Sequence, residues 1–500
     1  MAEIIIPYID KPYYTNNGQY TTLPNDHVYT VRNLGNQNPR RFLQYIRNLK
    51  RPFIKICRLR FLNPDMSVAF ALDSNPSSTI PKKRTFVAVP TDKNYITTDG
   101  DYTTNPSNHK YTVLGYNKTA NTYGIRTSRP QSQCFIQGGT LSVNLQNGQR
   151  RTVTVTLSNV DAQFDYNVNN LWFGSQIALD EGMILPDGTE YYIQQGIFNI
   201  SNPEETLEPA QRIMTLSLVD KWSGVDGSLG GNLEATHEVA AGTNIFSPIS
   251  ALLAQNIGNG YSRDSTSPIY TVYYDGKTQS LPDGTTANLT DTPYTLTVPG
   301  DGGTEGDVIL KLAEMLNAWV GYDASGTLRI DASQDDIDDS TKPVLWTFSP
   351  DDTTLLGLTY SIQNTEVYND YIVVGDQMDD YAQPAGRAQN LDPRSPTNVN
   401  IIGRKTVRVA ANGYATNQQC EDLAVWKLKR STVLQKSVTV SCPQILHLKE
   451  NNLIEITRSD KPGNPTERHL IQGFSRPLVG TEKMTISCVS VQDFPVATVV

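Results

Sequence analysis

The sequence runs to 500 residues, 38% of them hydrophobic, with 42 Lys and Arg against 51 Asp and Glu for a formal net charge of -9. That length exceeds what one hydrophobic core organises, so roughly three or four domains are expected. The acidic balance excludes a chain that coats nucleic acid or an anionic membrane, since both need basic surface.

The N-terminal stretch MAEIIIPYIDKPYY holds only Ile4–Ile6 as an apolar run, which is too short for a signal peptide and lacks its basic lead-in. No run of roughly eighteen apolar residues occurs, so no membrane-spanning helix and no stable membrane insertion is expected. Cys57, Cys134, Cys420, Cys442 and Cys488 are odd in number and form no close pair. That spacing fits neither a disulfide framework nor a zinc knuckle, and it suits assembly in a reducing cytosol.

In chain order, residues 1–50 are rich in Asn, Tyr, Pro and Arg and lack periodicity. They read as an arm ordered by a neighbour, or as a disordered tail. Ile54–Leu62 and Ser67–Leu72 form a hairpin across Asn63-Pro64-Asp65. Ser74–Ser132 breaks the pattern with Pro76, Pro81, Pro90, Pro106 and Pro130, with β-like pieces at Arg84–Val89 and Tyr111–Tyr116. It reads as an insertion.

A dense run of strands follows from Ile136 to Asp220. Gly138–Leu145 is extended, and Asn147-Gly148 signals a two-residue type I′ turn. Arg151–Ser158 alternates Val153, Val155 and Leu157 with Thr152, Thr154 and Thr156, which makes a strand with one buried face. Ser175–Leu179 and Glu190–Ile200 flank the turn Pro186-Asp187-Gly188, and Met214, Leu216 and Leu218 close the unit. Gly196 marks a place where a strand bends or bulges.

Beyond Asp220, Ser247-Pro248 reads as N-cap and first turn of a short helix with Ile249, Leu252, Leu253 and Ile257 on one face, stopped by Gly258. Thr304 caps a second helix with Asp307 as capping-box partner. Val308, Leu312, Met315, Leu316 and Trp319 share its apolar face as far as Gly321, and Tyr322–Ile330 follows as a strand. Leu355–Gly375 is extended and Asp376–Asn400 is a loop. Thr416 and Gln419 form a capping box opening a helix with Lys427, Lys429 and Arg430 in its last turn. Gln435–Cys442, Asn452–Arg458, Glu467–Phe474 and Met484–Val491 are closing strands. The fold class is therefore mainly β with a few helices (α+β), an antiparallel barrel or sandwich in its β-rich parts.

No catalytic constellation stands out. The histidines His27, His109, His237, His447 and His469 form no HExxH. His447 and Glu450 spell HxxE, but the reading here is a surface turn. Cys442 with His447 as a hydrolase pair is far less expected than structural roles for both. Gly276-Lys277-Thr278 echoes the end of a phosphate loop, yet Thr271 replaces the leading Gly. Gly224–Gly231 reads as a plain loop. Asp331, Asp335, Asp336, Asp338 and Asp339 resemble a calcium loop in composition only, and a solvated acidic loop is expected. Catalytic, cofactor-binding and metal residues are accordingly none, and no enzyme activity is expected.

Four stretches taken together resemble a known family. They are GTLSVNLQNGQRRTVTVTLSN at Gly139–Asn159, LPDGTEYYIQQGIFNISNPEETLEPAQRIMTLSLVDKWSGVDG at Leu185–Gly227, TYSIQNTEVYNDYIVVGD at Thr359–Asp376, and CEDLAVWKLKRSTVLQKSVTVSCPQILHLKENNLIEITR at Cys420–Arg458. In this order they are similar to the baseplate hub and tail-tip hub (tail-associated) proteins of phage tails and related contractile machines.

The resemblance implies two tube-like antiparallel β-barrel or sandwich domains around a middle α+β domain. Its boundaries would be an N-terminal arm at 1–50, a first tube-like domain at 51–222 with the insertion 74–132, a middle domain at 223–358 and a second tube-like domain at 359–500. It also implies a homotrimer at the distal end of the virion tail, assembled in the host cytoplasm. Three subunits would make a pseudo-sixfold ring between the sixfold distal tail or tube protein and a threefold tip. The implied partners include the tape measure protein and tip or receptor-binding proteins, with DNA present only in transit. Longer relatives carry lytic or fibre-bearing extensions beyond the point where Val500 falls, and the resemblance does not carry either over to this sequence. Acidic walls suit such a channel, because they repel phosphate. The rival expectation is a tail-associated cell-wall hydrolase or carbohydrate-binding receptor protein. The 25 tyrosines leave the binding version open, since aromatics stack on sugars.

Overall fold

A computed structural model describes residues 45–49, 53–74, 136–159, 176–332 and 343–491 apart from a few short stretches, with isolated two-residue strands elsewhere. The Arg84–Val89 piece and nearly all of 74–132 lie outside the described residues, as does most of the arm. The chain is mainly β with a few helices, and its largest sheet has 13 strands.

The first block of that sheet holds β1 (Lys55–Leu62), β2 (Val68–Asp73), β3 (Ile136–Asn144), β4 (Arg151–Ser158), β5 (Gln176–Ile184), β6 (Glu190–Glu208) and β7 (Gln211–Asp220). β4 shows the expected alternation, with Val153, Val155 and Leu157 in the core and Thr152 and Thr154 exposed. It pairs antiparallel with β3 on one side and β7 on the other. β6 continues well past Ile200, where the sequence suggested an end. Among the described residues β5 pairs with β6 only up to Asn199, so no described ladder on that side needs the N–H that Pro203 lacks. At the expected bend, Leu179 faces Gly196 and Asp180 faces Gln194, which leaves Gln195 as the extra residue of a bulge.

The β3–β4 connection differs from the two-residue turn. Residues 145–150 form a longer loop, because its tip is held from outside. Gly148 N–H donates to the Val320 carbonyl and Asn147 Oδ1 accepts from Val320 N–H, both at 2.9 Å. Gly148 has φ +83°, and a Cβ there would lie 3.0 Å from Trp222 Nε1.

Residues 222–332 carry a core of their own, built on α1 (Phe246–Ala254), α2 (Glu305–Met315), β8 (Ala318–Tyr322) and β9 (Leu328–Ala332). α1 starts at Phe246 with Ile245 at its N-cap, two residues before the expected Ser247 cap and Pro248 start, and Asn244 Oδ1 accepts from Phe246 N–H. Ile257 lies in the short strand Asn256–Gly258, beyond that helix. The Thr304–Asp307 capping box forms as expected. Val308, Leu312, Met315 and Leu316 are buried, but the helix stops at Met315. Asn317 takes the left-handed conformation at φ +49°, which terminates a helix. Trp319 therefore sits on β8, half-buried, rather than on the helical stripe.

The second block adds β10 (Val344–Phe348), β11 (Gly357–Ser361), β15 (Ser437–Cys442), β16 (Leu453–Thr457), β17 (Thr466–Pro477) and β18 (Met484–Val491) to the large sheet. The strand order is β11-β15-β18-β17-β3-β4-β7-β6-β5-β1-β2, with β16 also on β17 and β10 parallel to β16. β17 joins the blocks. Its first half pairs with β16, and its second half, from Gly473 to Pro477, pairs with β3. One core runs through both blocks and includes Tyr45, Ile46 and Leu49 from the short helical segment 45–49.

A smaller unit interrupts the second block. β12 (Asp370–Val374), β13 (Ala385–Gln389) and β14 (Thr406–Ala410) pack with α3 (Asn417–Val433). The stretch 355–375 is thus two strands in different sheets, and 376–400 contains β13 and the start of the helical turn Val399–Ile402. The polar, Pro-bearing sequence there hides a strand whose buried residues are Gly386, Ala388 and Gln389. α3 opens on the Thr416–Gln419 capping box. Among the described residues no helix is long and apolar enough to cross a membrane.

A candidate assembly site at the seam of the two blocks

Where β17 meets β3, the sheet buries charge instead of hydrocarbon. Lys55 on β1 and Arg476 on β17 both reach Glu181 on β5 at 2.6 Å, with all three side chains at most 1% exposed. Lys55 also donates to Gln444 Oε1 and to the Pro477 carbonyl. Burial alone would raise the Glu181 carboxyl. Arg476 and Lys55 outweigh it and hold the group below the usual carboxylate range. Burial pushes the Lys55 ammonium down, and Glu181 opposes that.

The β6 bulge serves this cluster. Gln195, the extra residue, accepts from Arg476 through Oε1 and donates from Nε2 to the Leu446 carbonyl at 3.0 Å. Nearby, Arg151 on β4 ties three units together. Its guanidinium donates to the Tyr322 carbonyl on β8 at 3.4 Å, to the Gln195 carbonyl at 3.0 Å, and to both oxygens of Glu450. Asp220 accepts from the backbone N–H of Arg150 and Arg151 at 2.8 and 2.9 Å. Arg476 with Glu181, Lys55 with Gln444 and Pro477, and Arg151 with Tyr322 and Glu450 are contacts across boundaries, so the arrangement fixes how the blocks and the middle unit sit.

The residues singled out from sequence take structural places. Glu450 is buried on Arg151, and His447 is half-buried between the Tyr45 and Trp346 rings, at centroid distances of 6.0 and 5.7 Å. The surface-turn reading is thereby corrected, because the rings of a distant segment close over the turn. Burial, then Arg476, lowers the His447 pKa to about 3. Burial pushes the Cys442 thiol up to about 12, so its thiolate is scarce. Gly276-Lys277 sits in a turn that enters the short strand Thr278–Ser280, with no helix to receive a phosphate. The Gly224–Gly231 loop closes over the start of α2, where Gly231 and Val225 carbonyls accept from Glu305 and Gly306 N–H at 2.7 Å. Asp331 pairs with Arg329, while Asp335, Asp336, Asp338 and Asp339 lie outside the described residues. Among the described residues no group of three or more His, Cys, Asp and Glu gathers as metal ligands.

The sequence offered little sign of the seam. Arg151, Glu181 and Arg476 each stand near a strand end or beside a turn residue, where charge normally faces water. Only Gly196 pointed toward it, as the site of a bulge.

No protein-family model matches the chain. No curated protein matches it in sequence. Phage tail proteins and a type VI secretion component are among the structures this chain resembles. A tail protein from Neisseria meningitidis is 10% identical, with a TM-score of 0.47, over 71% of this chain and 93% of that one. The 43 kDa tail protein of prophage MuSo2 from Shewanella oneidensis is 12% identical, with a TM-score of 0.46, over 71% and 94%. An E. coli type VI secretion component, itself similar to phage T4 tail proteins, is 10% identical, with a TM-score of 0.40, over 72% and 74%.

Proposed function

We propose that the chain is a structural hub protein of a phage tail, a homotrimer whose two sheet blocks per subunit supply a pseudo-sixfold ring. The observation that carries this reading is the seam. Two blocks far apart in sequence are locked into one sheet by β17 and by buried ion pairs, so each subunit presents a double unit of fixed spacing. Three such double units give six blocks, the number a symmetry adaptor needs against a sixfold tube. The sequence resemblance supports it as well, because the first two quoted stretches fall on the first block of that sheet and the other two begin or end on strands of the second. In this reading the ring joins the tube or distal tail protein and the tape measure protein to threefold tip and receptor-binding components. DNA passes through without being held, and no residue catalyses a reaction.

Native mass measurement of the purified protein, with images of it on particles, tests the proposal. A threefold ring with a central channel at the distal tail is expected. A protein that stays monomeric on assembled particles overturns it.

A further inference from the structure

The large sheet has a second face, turned away from the shared core. On β4 the residues between Val153, Val155 and Leu157 are threonines, and neighbouring strands repeat the pattern with Ser and Thr. One row crosses five strands and both blocks. Ser441 on β15 faces Thr485 on β18, which faces Ser475 on β17, then Ser142 on β3 and Thr152 on β4. The next row carries Thr140, Thr154, Ser217 and Asn202 on to β7 and β6. Thr152, Thr154 and Thr485 are exposed, and Ser142, Ser441 and Ser475 are half-buried, so the described chain leaves this band open. The band is bounded where Leu470 and Val489 turn the same face apolar and buried.

Charge sets the band apart. Among the described residues of these strands it holds no Lys or Arg, although the chain has 42 of them. Its only charges are Glu204 and Glu208 at the β6 margin, both exposed. A sheet face open to water ordinarily carries both signs. Cations would hold a passing duplex, whose backbone bears one negative charge per ~1.7 Å. Hydroxyls trade their hydrogen bonds with water at little net gain, so no position along the track is preferred.

The band also ends on open strands. Among the described residues β11 pairs only with β15, and β6 from Asn202 onward pairs only with β7. The run between these edges has eight strands, β11-β15-β18-β17-β3-β4-β7-β6. Three copies placed edge toward edge would set about 24 strands around one axis, and a spacing of ~4.8 Å makes that ring about 37 Å across. Short Ser and Thr side chains leave room inside for a duplex about 20 Å wide.

We infer that this hydroxyl band is the wall past which double-stranded DNA slides. The inference rests on the trimeric hub reading above and names the surface that meets the nucleic acid. The wall is neutral, with carboxylates at one margin, and not the acidic wall that the net charge suggested.

Particles carrying Thr152→Lys/Thr485→Lys test it, with Thr152→Gln/Thr485→Gln as the neutral control. Both positions are exposed, so tails should assemble, as imaging would verify. The Lys variant is expected to release DNA from triggered particles about tenfold more slowly at low salt and to approach the wild type as salt rises. The Gln variant should match the wild type throughout. A second readout places a photocrosslinking residue at Thr154, which adds no charge and decides the matter even where the Lys variant fails to assemble. An adduct with DNA after triggering is expected. A trimer on intact tails that yields only protein adducts, or none, overturns the wall and leaves the hub reading standing. So does a Lys variant with wild-type release at every salt. A protein that is monomeric on particles overturns the hub reading and the wall with it.

Discussion

Arg151 is the residue on which the fixed geometry most depends, since one guanidinium serves β4, β8, the β6 bulge and Glu450. Arg151→Met should cost about 3–5 kcal/mol in denaturant unfolding, because Glu450 would be left buried and unpaired. Arg151→Met with Glu450→Leu should recover most of that loss, since removing both charges also removes their desolvation cost. His447 adds a pH signature. Its folded pKa, lowered to about 3, lies below the ordinary 6.5, so the unfolded chain binds the extra proton between those values. The contribution of the neutral ring is fully present above pH 6.5 and declines as pH falls toward 3. His447→Gln should flatten the stability profile between pH 6.5 and 5 by up to one proton's slope, about 1.4 kcal/mol per pH unit. Equal slopes in both proteins would show that the ring is solvated in the folded state.

At the scale of elements, the contacts between units are the informative ones. Trp319 on β8 meets Trp426 on α3 edge to face, with centroids 5.9 Å apart. A double-mutant cycle on Trp319→Ala and Trp426→Ala should give a coupling of about 0.5–1.5 kcal/mol. A value near zero would mean that the middle and small units do not rest on each other through these rings. Gly148→Ala should destabilise by about 1–2 kcal/mol from its positive φ alone, and more if the added Cβ displaces Trp222. The strands of β4 and β18 and both capping boxes were legible in the sequence, because they are set by residues within a few positions of one another. The end of α2 was not, since Trp319 continues the helical period by coincidence while Asn317 has already turned the chain. β13 was missed because small and polar residues fill it. The seam stayed hidden because its partners lie hundreds of residues apart, as with Glu181 and Arg476 at a separation of 295.

At the scale of the whole molecule, one core spans both blocks and another fills residues 222–332. Leu216→Ala in the first block and Ile486→Ala in the second should therefore weaken the same cooperative transition, each by about 2–5 kcal/mol. Leu312→Ala should weaken the middle unit, with protease cuts confined to its loops. If Leu216→Ala and Ile486→Ala shifted separate transitions, the blocks would be independent domains that merely touch.

The pairing of β3 with β17 also bears on how the protein is made. Ser142 and Ser475 face each other from 333 positions apart. During synthesis the first block emerges with the β3 edge bare and Glu181 awaiting Arg476. At elongation speeds of about 5–20 residues per second that wait lasts on the order of 15–60 s. A nascent chain stalled before β17 should therefore present an open strand edge to chaperones and to its neighbours on the same message. Release of that chaperone contact should coincide with the emergence of Gly473–Pro477, and ribosome profiling of chaperone-bound nascent chains would read it directly.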